Sequence, residues 1–268
     1  MKIFVYSCRD DERELFEEYE KKWNLELGYC KEQPTMENAE LAKGYSCITV
    51  VGTKISEELL EKLYDTGVRC ICARCIGVDH IPLEKAKELG IRVSNITYSP
   101  NAVADYAILL MLMCLRREKY ILERYRVHDY SLAWNRGREL RDMTVGIVGG
   151  GRIGRTVMKQ ISGFGCKILV YDHYEMDEVK KYASYVDYET LLKSSDIITF
   201  HAPGTAETHH MLNLDNVSLL KKDVIIINTS RGSNIDTKAL IYGLEKGIIS
   251  AAGLDVLDNE PTIYNIDH

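Results

Sequence analysis

The stretch TVGIVGGGRIGRTV, residues 144–157, decides the fold class. Its first five residues form an apolar run of strand type, and its last residues open a helix. Between them stand Gly149, Gly151 and Gly154 in a G-x-G-x-x-G spacing. The spacing alone is a weak signal; set between a strand and a helix it matches a dinucleotide-binding turn. The first glycine makes the tight turn, the second lets backbone approach a pyrophosphate, and the third permits close helix–strand packing. The helix start adds unpaired N–H groups and the positive end of the helix dipole. The next apolar run, residues 167–171, ends in Asp172, 18 residues past Gly154. An acid at that distance bonds the adenosine ribose hydroxyls of such a cofactor. Its charge opposes a 2′-phosphate, and His173 and Tyr174 follow it with no arginine to receive one, so the expected cofactor is NAD rather than NADP. The competing reading, a glycine turn beside a surface Asp, leaves the ordered strand, glycines, helix, strand and acid unexplained.

Outward from this turn, strand and helix patterns alternate in both directions. Toward the C-terminus come a helix at Tyr188–Lys193, strands at Asp196–Phe200 and Val224–Asn228, a helix at Lys238–Lys246 and a strand at Ala251–Val256. Toward the N-terminus, strands are expected at Lys2–Ser7, Ser46–Val51, Val68–Ala73 and Arg92–Asn95, with helices at Asp10–Lys22 and Ser56–Tyr64. Such alternation predicts an α/β protein with open parallel sheets covered by helices. Ser99 and Pro100, as N-cap and first helical residue, are expected to open a long helix reaching about Lys119. Asn101 to Leu115 is apolar nearly all round apart from Asp105, the pattern of a helix buried between domains or subunits. Residues 120–142 read as irregular. A boundary therefore falls near residue 100, dividing the chain into residues 1–99 and 100–268.

Composition narrows the function classes. The 268 residues are 46% hydrophobic and 28% charged, ordinary for a folded chain, with a net charge of −6 that does not suggest a general nucleic-acid binder. Residues 1–40 hold six basic and eleven acidic residues, read as an exposed helix face. Residues 116–141 hold eight Arg or Lys against four acids, read as a solvated arm. The longest apolar run, Tyr106 to Leu115, is too short to span a membrane, which needs about 20 residues. The N-terminus turns acidic at Asp10 and reads as a first strand rather than a signal peptide, so a cytoplasmic location is expected. Eight cysteines, mostly inside apolar runs, fit a reducing compartment. Cys70, Cys72 and Cys75 include a C-x-x-C, but no second pair stands at zinc spacing, and His209 and His210 lack a third ligand; no metal is expected.

Five further segments carry a specific resemblance: ARCIGVDHIPLEKAKELGIRVSNITYSPNAVADYA from residue 73, DMTVGIVGGGRIG from 142, SSDIITFHAPGTAETHHMLN from 194, VIIINTSRGSNIDTKAL from 224 and AAGLDVLDNEP from 251. Together they resemble the D-isomer-specific 2-hydroxyacid dehydrogenases over essentially the whole chain. The likeness is greatest to the branch that acts on lactate, including the vancomycin-resistance type. The resemblance implies two doubly wound parallel-sheet domains. The first would be a flavodoxin-like substrate domain over residues 1–99, the second a Rossmann NAD-binding domain over 100–268 with a dimerisation helix at 101–119. It implies Arg231 as the catalytic arginine, whose planar fork can hold the substrate carboxylate and polarise the ketone oxygen. It implies Glu260 as the acid that holds a catalytic histidine and raises its pKa. Arg152, Ile153, Ala202, Pro203, Thr229, Ser230 and Asp255 would stand around the cofactor. Ile76 and Gly77 would cradle the substrate carboxylate, with Tyr98 near the substrate.

The implied activity is NAD-dependent reduction of pyruvate to D-lactate by a homodimer. Branched 2-keto acids, glyoxylate or phosphoglycerate are alternative substrate classes, and an NADH-sensing binding protein is an alternative of another kind. In one respect the sequence departs from the family. The catalytic histidine is expected well beyond the glutamate, whereas His268 is eight residues past Glu260 and no Pro-His precedes it. His268 is therefore read as a terminal residue. The sequence as given is expected to lack the acid–base and the return segment of the first domain, and so to bind NADH yet reduce pyruvate poorly.

Overall fold

The computed structural model describes residues 1–52, 54–133 and 136–258. The chain divides into two compact units, Met1–Tyr98 and Ser99–His268.

The first unit runs β1 (Lys2–Val5), α1 (Asp10–Trp23), β2 (Glu26–Tyr29), β3 (Cys47–Val50), α2 (Glu57–Asp65), β4 (Cys70–Ala73), α3 (Leu83–Glu88) and β5 (Arg92–Asn95). All strand pairings are parallel, in the order β2-β1-β3-β4-β5. This is the flavodoxin-like doubly wound order. Alternation along the strands sorts side chains by face. Ile48, Val50, Ile71, Ala73 and Val93 join Leu59, Leu60, Leu63 and Ala86 of α2 and α3 in the aliphatic core. Cys47, Thr49, Cys70, Cys72, Arg92 and Ser94 occupy the alternate positions. Ser56 caps α2 by accepting from the Leu59 N–H at 3.1 Å.

The second unit opens with α4 (Asn101–Arg116) and α5 (Glu118–Tyr125). There follow β6 (Thr144–Val148), α6 (Arg152–Ile161), β7 (Lys167–Tyr171), α7 (Asp177–Lys180), β8 (Ser184–Tyr185), α8 (Tyr188–Ser194), β9 (Ile197–Phe200), β10 (Val224–Asn228), α9 (Thr237–Glu245) and β11 (Ile249–Leu254). Its six parallel strands lie in the order β11-β10-β9-β6-β7-β8, a Rossmann sheet whose strand order reverses between β6 and β9. Helices cover both faces, which is why β10 reads as an unbroken apolar run and is buried throughout. One core packs α4 and α6 on Ile147, Val170 and Ile227. The other packs α8 and α9 on Ile198, Phe200 and Ile226.

The long helix differs from its sequence expectation. It ends at Arg116, not near Lys119, because Arg117 takes a left-handed conformation (φ +57°) and a separate α5 begins after it. Part of the stretch expected to be irregular is thus helical. Pro100 is the N-cap rather than the first helical residue, and the Ser99 hydroxyl accepts from the Asn101 side chain at 2.8 Å. Burial of α4 is one-sided: Ala104, Ala107, Met111 and Leu115 are buried, while Tyr106 and Leu109 are 42% and 48% exposed.

Candidate functional site

In the second unit the glycine turn sits where the strand order reverses. Gly149 follows β6 with φ +101°, and a Cβ there would meet the His201 carbonyl carbon at 2.8 Å. The ends of β6 and β9 are therefore in backbone contact. A Cβ on Gly154 would meet the Gly149 carbonyl oxygen at 2.0 Å, so this glycine lets α6 lie against the turn. Gly151, the N-cap of α6, has open space where its Cβ would project. The three glycines thus divide as tight turn, open approach and close packing. Arg152 and Ile153 are the first two helical residues and present the helix N-terminus beside that space.

Asp172 follows β7 and reaches back to the turn. Its carboxylate accepts from the Gly150 N–H at 2.6 Å and from the Tyr174 N–H at 3.0 Å. The acid is thereby held next to the open glycine.

Beyond β9, Ala202 is buried, and the Thr208 hydroxyl donates to the Pro203 carbonyl at 2.5 Å. His201 bonds Thr199 at 2.9 Å, and burial pulls its imidazole down to about 4. A Cβ on Gly204 would meet the Arg231 Cγ at 3.1 Å, so the stem of Arg231 rests against this loop. The Thr229-Ser230-Arg231 turn after β10 is fixed by Asn228, which is 1% exposed. Asn228 Oδ1 accepts from the Ser230 N–H at 3.0 Å and the Ser230 hydroxyl at 2.9 Å. Its amide donates to the Arg231 carbonyl at 2.8 Å. Asn228 is a functional residue that the sequence motifs do not single out; its signal is an amide closing an otherwise apolar strand. The Arg231 guanidinium donates to the Ser230 carbonyl at 2.8 Å.

Asp255 follows β11, is exposed, and donates its N–H to the Asn228 carbonyl at 2.9 Å. A Cβ on Gly232 would meet the Leu257 carbonyl oxygen at 1.9 Å, so the arginine turn and the segment leading to the acid are packed backbone to backbone. His210 bonds Asp258 at 3.1 Å, and its ring stacks on His209. Glu260 and His268 lie outside the described residues. The second unit therefore gathers Gly149, Gly151, Arg152, Ile153, Gly154 and Asp172 on one turn. It places Ala202, Pro203, Thr229, Ser230, Arg231 and Asp255 at the carboxyl ends of the adjacent strands, where open α/β sheets take their ligands.

These residues fit a dinucleotide. Gly151 leaves room for a pyrophosphate at a helix N-terminus, and the Thr229 hydroxyl is buried with no hydrogen-bond partner among the described residues.

In the first unit the remaining candidates also follow strand ends. Ile76 and Gly77 lie past β4, Tyr98 lies past β5, and Tyr98 is 43% exposed. The Ile76 carbonyl accepts from the Asn95 amide at 2.6 Å, and the Gly77 carbonyl from the Cys75 thiol at 3.1 Å. Arg74, missed in the sequence, anchors this loop from below. Its guanidinium donates to the Tyr6 and Ser7 carbonyls at 3.1 and 2.9 Å and lies 3.5 Å from Glu12.

Residues 108–266 match the family model described as D-isomer specific 2-hydroxyacid dehydrogenase, NAD binding domain. The chain is 38% identical over 266 residues to a D-specific alpha-keto acid dehydrogenase of Enterococcus faecium, covering 99% of this chain and 81% of that protein. It is 38% identical over 270 residues to a D-lactate dehydrogenase of Lactobacillus delbrueckii subsp. bulgaricus, again covering 99% and 81%. Among solved structures, a D-lactate dehydrogenase with NAD+ from Lactobacillus jensenii superposes with a TM-score of 0.82 at 33% identity, covering all of this chain and 82% of that one. With a Rossmann sheet, a glycine turn shaped for a pyrophosphate and relatives alike along nearly its whole length, the chain belongs to the D-isomer-specific 2-hydroxyacid dehydrogenases, NAD-dependent oxidoreductases acting on the CH–OH group of a 2-hydroxy acid.

Proposed function

We propose that the chain is a D-lactate dehydrogenase, reducing pyruvate to D-lactate with NADH. The observation that carries this reading is Arg231, which combines a clamped backbone with a planar fork at the carboxyl end of β10. NADH supplies the hydride when bound. Gly149 to Gly154 would hold its pyrophosphate, Asp172 its ribose hydroxyls, and Thr229 and Ser230 the strand-end wall of its site. Arg231 would bind the substrate carboxylate and stabilise charge developing on the ketone oxygen. Within the first unit, Ile76 and Gly77 would offer backbone N–H groups to a carboxylate, and Glu260 would orient the acid–base. The names of the relatives support the substrate class. The test is the change in nicotinamide fluorescence when pyruvate, glyoxylate and a branched 2-keto acid are each added to the NADH complex, with NADH consumption followed in parallel. Pyruvate should bind best and be consumed fastest; preference for the branched acid overturns the assignment. Saturable NADH binding with no response to any keto acid would favour the NADH-sensing reading.

A second observation supports a homodimer built on the second unit. The apolar side chains Tyr106 and Leu109 of α4 are exposed, and a groove of about 900 Å³ runs between α4, α5 and the edge strand β11, lined in part by Leu110, Met113, Tyr120 and Leu254. Exposed apolar area of this kind marks association surfaces. Leu109→Glu should shift sedimentation from dimer to monomer without unfolding the chain; an unaltered wild-type monomer refutes the proposal. Eight free thiols support a reducing, cytoplasmic setting, and no helix among the described residues is long and apolar enough to cross a membrane.

A further inference from the structure

Three of the eight cysteines meet in the first unit, and none of them is among the residues assigned above to cofactor or substrate. Cys47 on β3 and Cys70 on β4 are register partners, so their side chains leave the sheet on the same face. Cys72, two residues along β4, shares that face. The three Sγ atoms lie within 4.8 Å of one another, and Cys47 Sγ stands 3.8 Å from Cys72 Sγ. The Ser94 hydroxyl, in register with Cys72 on β5, donates to the Cys72 sulfur at 3.2 Å.

Simple core filling does not account for this arrangement. A buried free cysteine commonly behaves as a small hydrophobe. Here the aliphatic core takes Ile48, Val50, Ile71 and Ala73 from the same strands and none of the three thiols. Cys47 is buried, and Cys70 and Cys72 are half-buried. The C-x-x-C that the sequence brings forward is a different set. Cys75 points its thiol at the Gly77 carbonyl, and the third sulfur comes instead from a strand 23 residues upstream of Cys70.

We propose that Cys47, Cys70 and Cys72 form a trithiolate site for one soft cation of the cuprous class. Three sulfurs about 2.3 Å from a central ion in trigonal array stand about 4 Å apart, close to the separation the parallel strands already impose. Soft thiolate ligands select soft cations. A structural zinc ion wants four protein ligands, and among the described residues no histidine or carboxylate joins the three sulfurs. Binding forms three metal–sulfur bonds, and each thiol releases its proton to solvent as it coordinates. No change in oxidation state is involved. The site ties β3 to β4 below the loop that carries Ile76 and Gly77.

The test is anaerobic titration of the reduced chain with Cu(I) against bicinchoninate, a coloured competing chelator. Thiol alkylation by N-ethylmaleimide, mapped by mass spectrometry, is followed on the same samples. The chain should withdraw one equivalent tightly, and Cys47, Cys70 and Cys72 should become protected together. Cys72→Ser and Cys70→Ser should each weaken retention at least 100-fold, while Cys166→Ser in the other unit leaves it unchanged. Protection mapping needs no substitution, so it decides the matter even where a serine variant fails to fold. No tight equivalent, protection at other cysteines, identical retention by Cys72→Ser and Cys166→Ser, or Zn²⁺ held as tightly as Cu(I) would each overturn the proposal.

Discussion

His201 joins the chemistry of the site to its stability. Burial holds its pKa near 4, below the ordinary histidine value of 6.5, so the folded chain keeps it neutral where the unfolded chain protonates it. The unfolded state therefore binds more protons between those values, and stability falls as pH drops from about 6.5 toward 4. The loss should approach about 3 kcal/mol at the acid end. Urea midpoints at pH 7.5 and 4.5 check this, and His201→Gln should flatten the difference. Asp172 gives a second expectation at this scale. Its carboxylate accepts from the Gly150 N–H of the glycine turn and from the Tyr174 N–H of its own loop, and is proposed above to bind the ribose hydroxyls. Charge-assisted bonds of this kind are worth about 1.5–3 kcal/mol. Asp172→Ala should thus weaken NADH binding about 10- to 100-fold and narrow the preference over NADPH, read by fluorescence titration with each cofactor.

Between elements, the packing of Gly232 on Leu257 links the arginine turn to the acidic segment. Gly232→Ala places a Cβ into a backbone oxygen that no rotamer change can move aside. Overpacking of this kind costs about 1–3 kcal/mol. The expected result is a lower thermal midpoint together with weaker binding of the keto-acid analogue oxamate to the NADH complex, while NADH binding itself changes little. Ser56→Ala, which removes the cap of α2, should cost about 1 kcal/mol in urea unfolding and leave NADH binding intact. At this scale the sequence was most readable where the determinants are local in the chain. The glycine turn, Asp172 and the strand carrying Arg231 all announce themselves within a few residues. The roles of Asn228 and Gly204 were not visible, because each acts on a residue or loop that only the folded sheet brings near. β2 and β8 escaped because short edge strands have few positions in which to show a period. The end of α4 escaped because helix-forming composition continues through Arg117, and only its left-handed backbone marks the break. The thiol cluster was hidden for the same reason as Asn228: parallel pairing, and not sequence spacing, sets its distances.

For the molecule as a whole, each unit packs core residues of its own, one cluster in the first and two in the second, so a ligand of one unit stabilises that unit directly. NADH at 100 times its dissociation constant should stabilise the Ser99–His268 unit by about 2.7 kcal/mol. Calorimetric scans with and without NADH would read this as an upward shift of the cofactor-bearing transition; unchanged transitions refute binding at the glycine turn. The parallel topology also governs how the chain comes together during synthesis. Every pairing in the five-stranded sheet is made within residues 2–95, and the six-stranded sheet draws on nothing before residue 144. Parallel neighbours need long crossovers, so such pairings form slowly. Ribosomes add about 5–20 residues per second. The first sheet consequently has seconds in which to assemble while the glycine turn is still untranslated, and the two sheets need not compete for one another's strands.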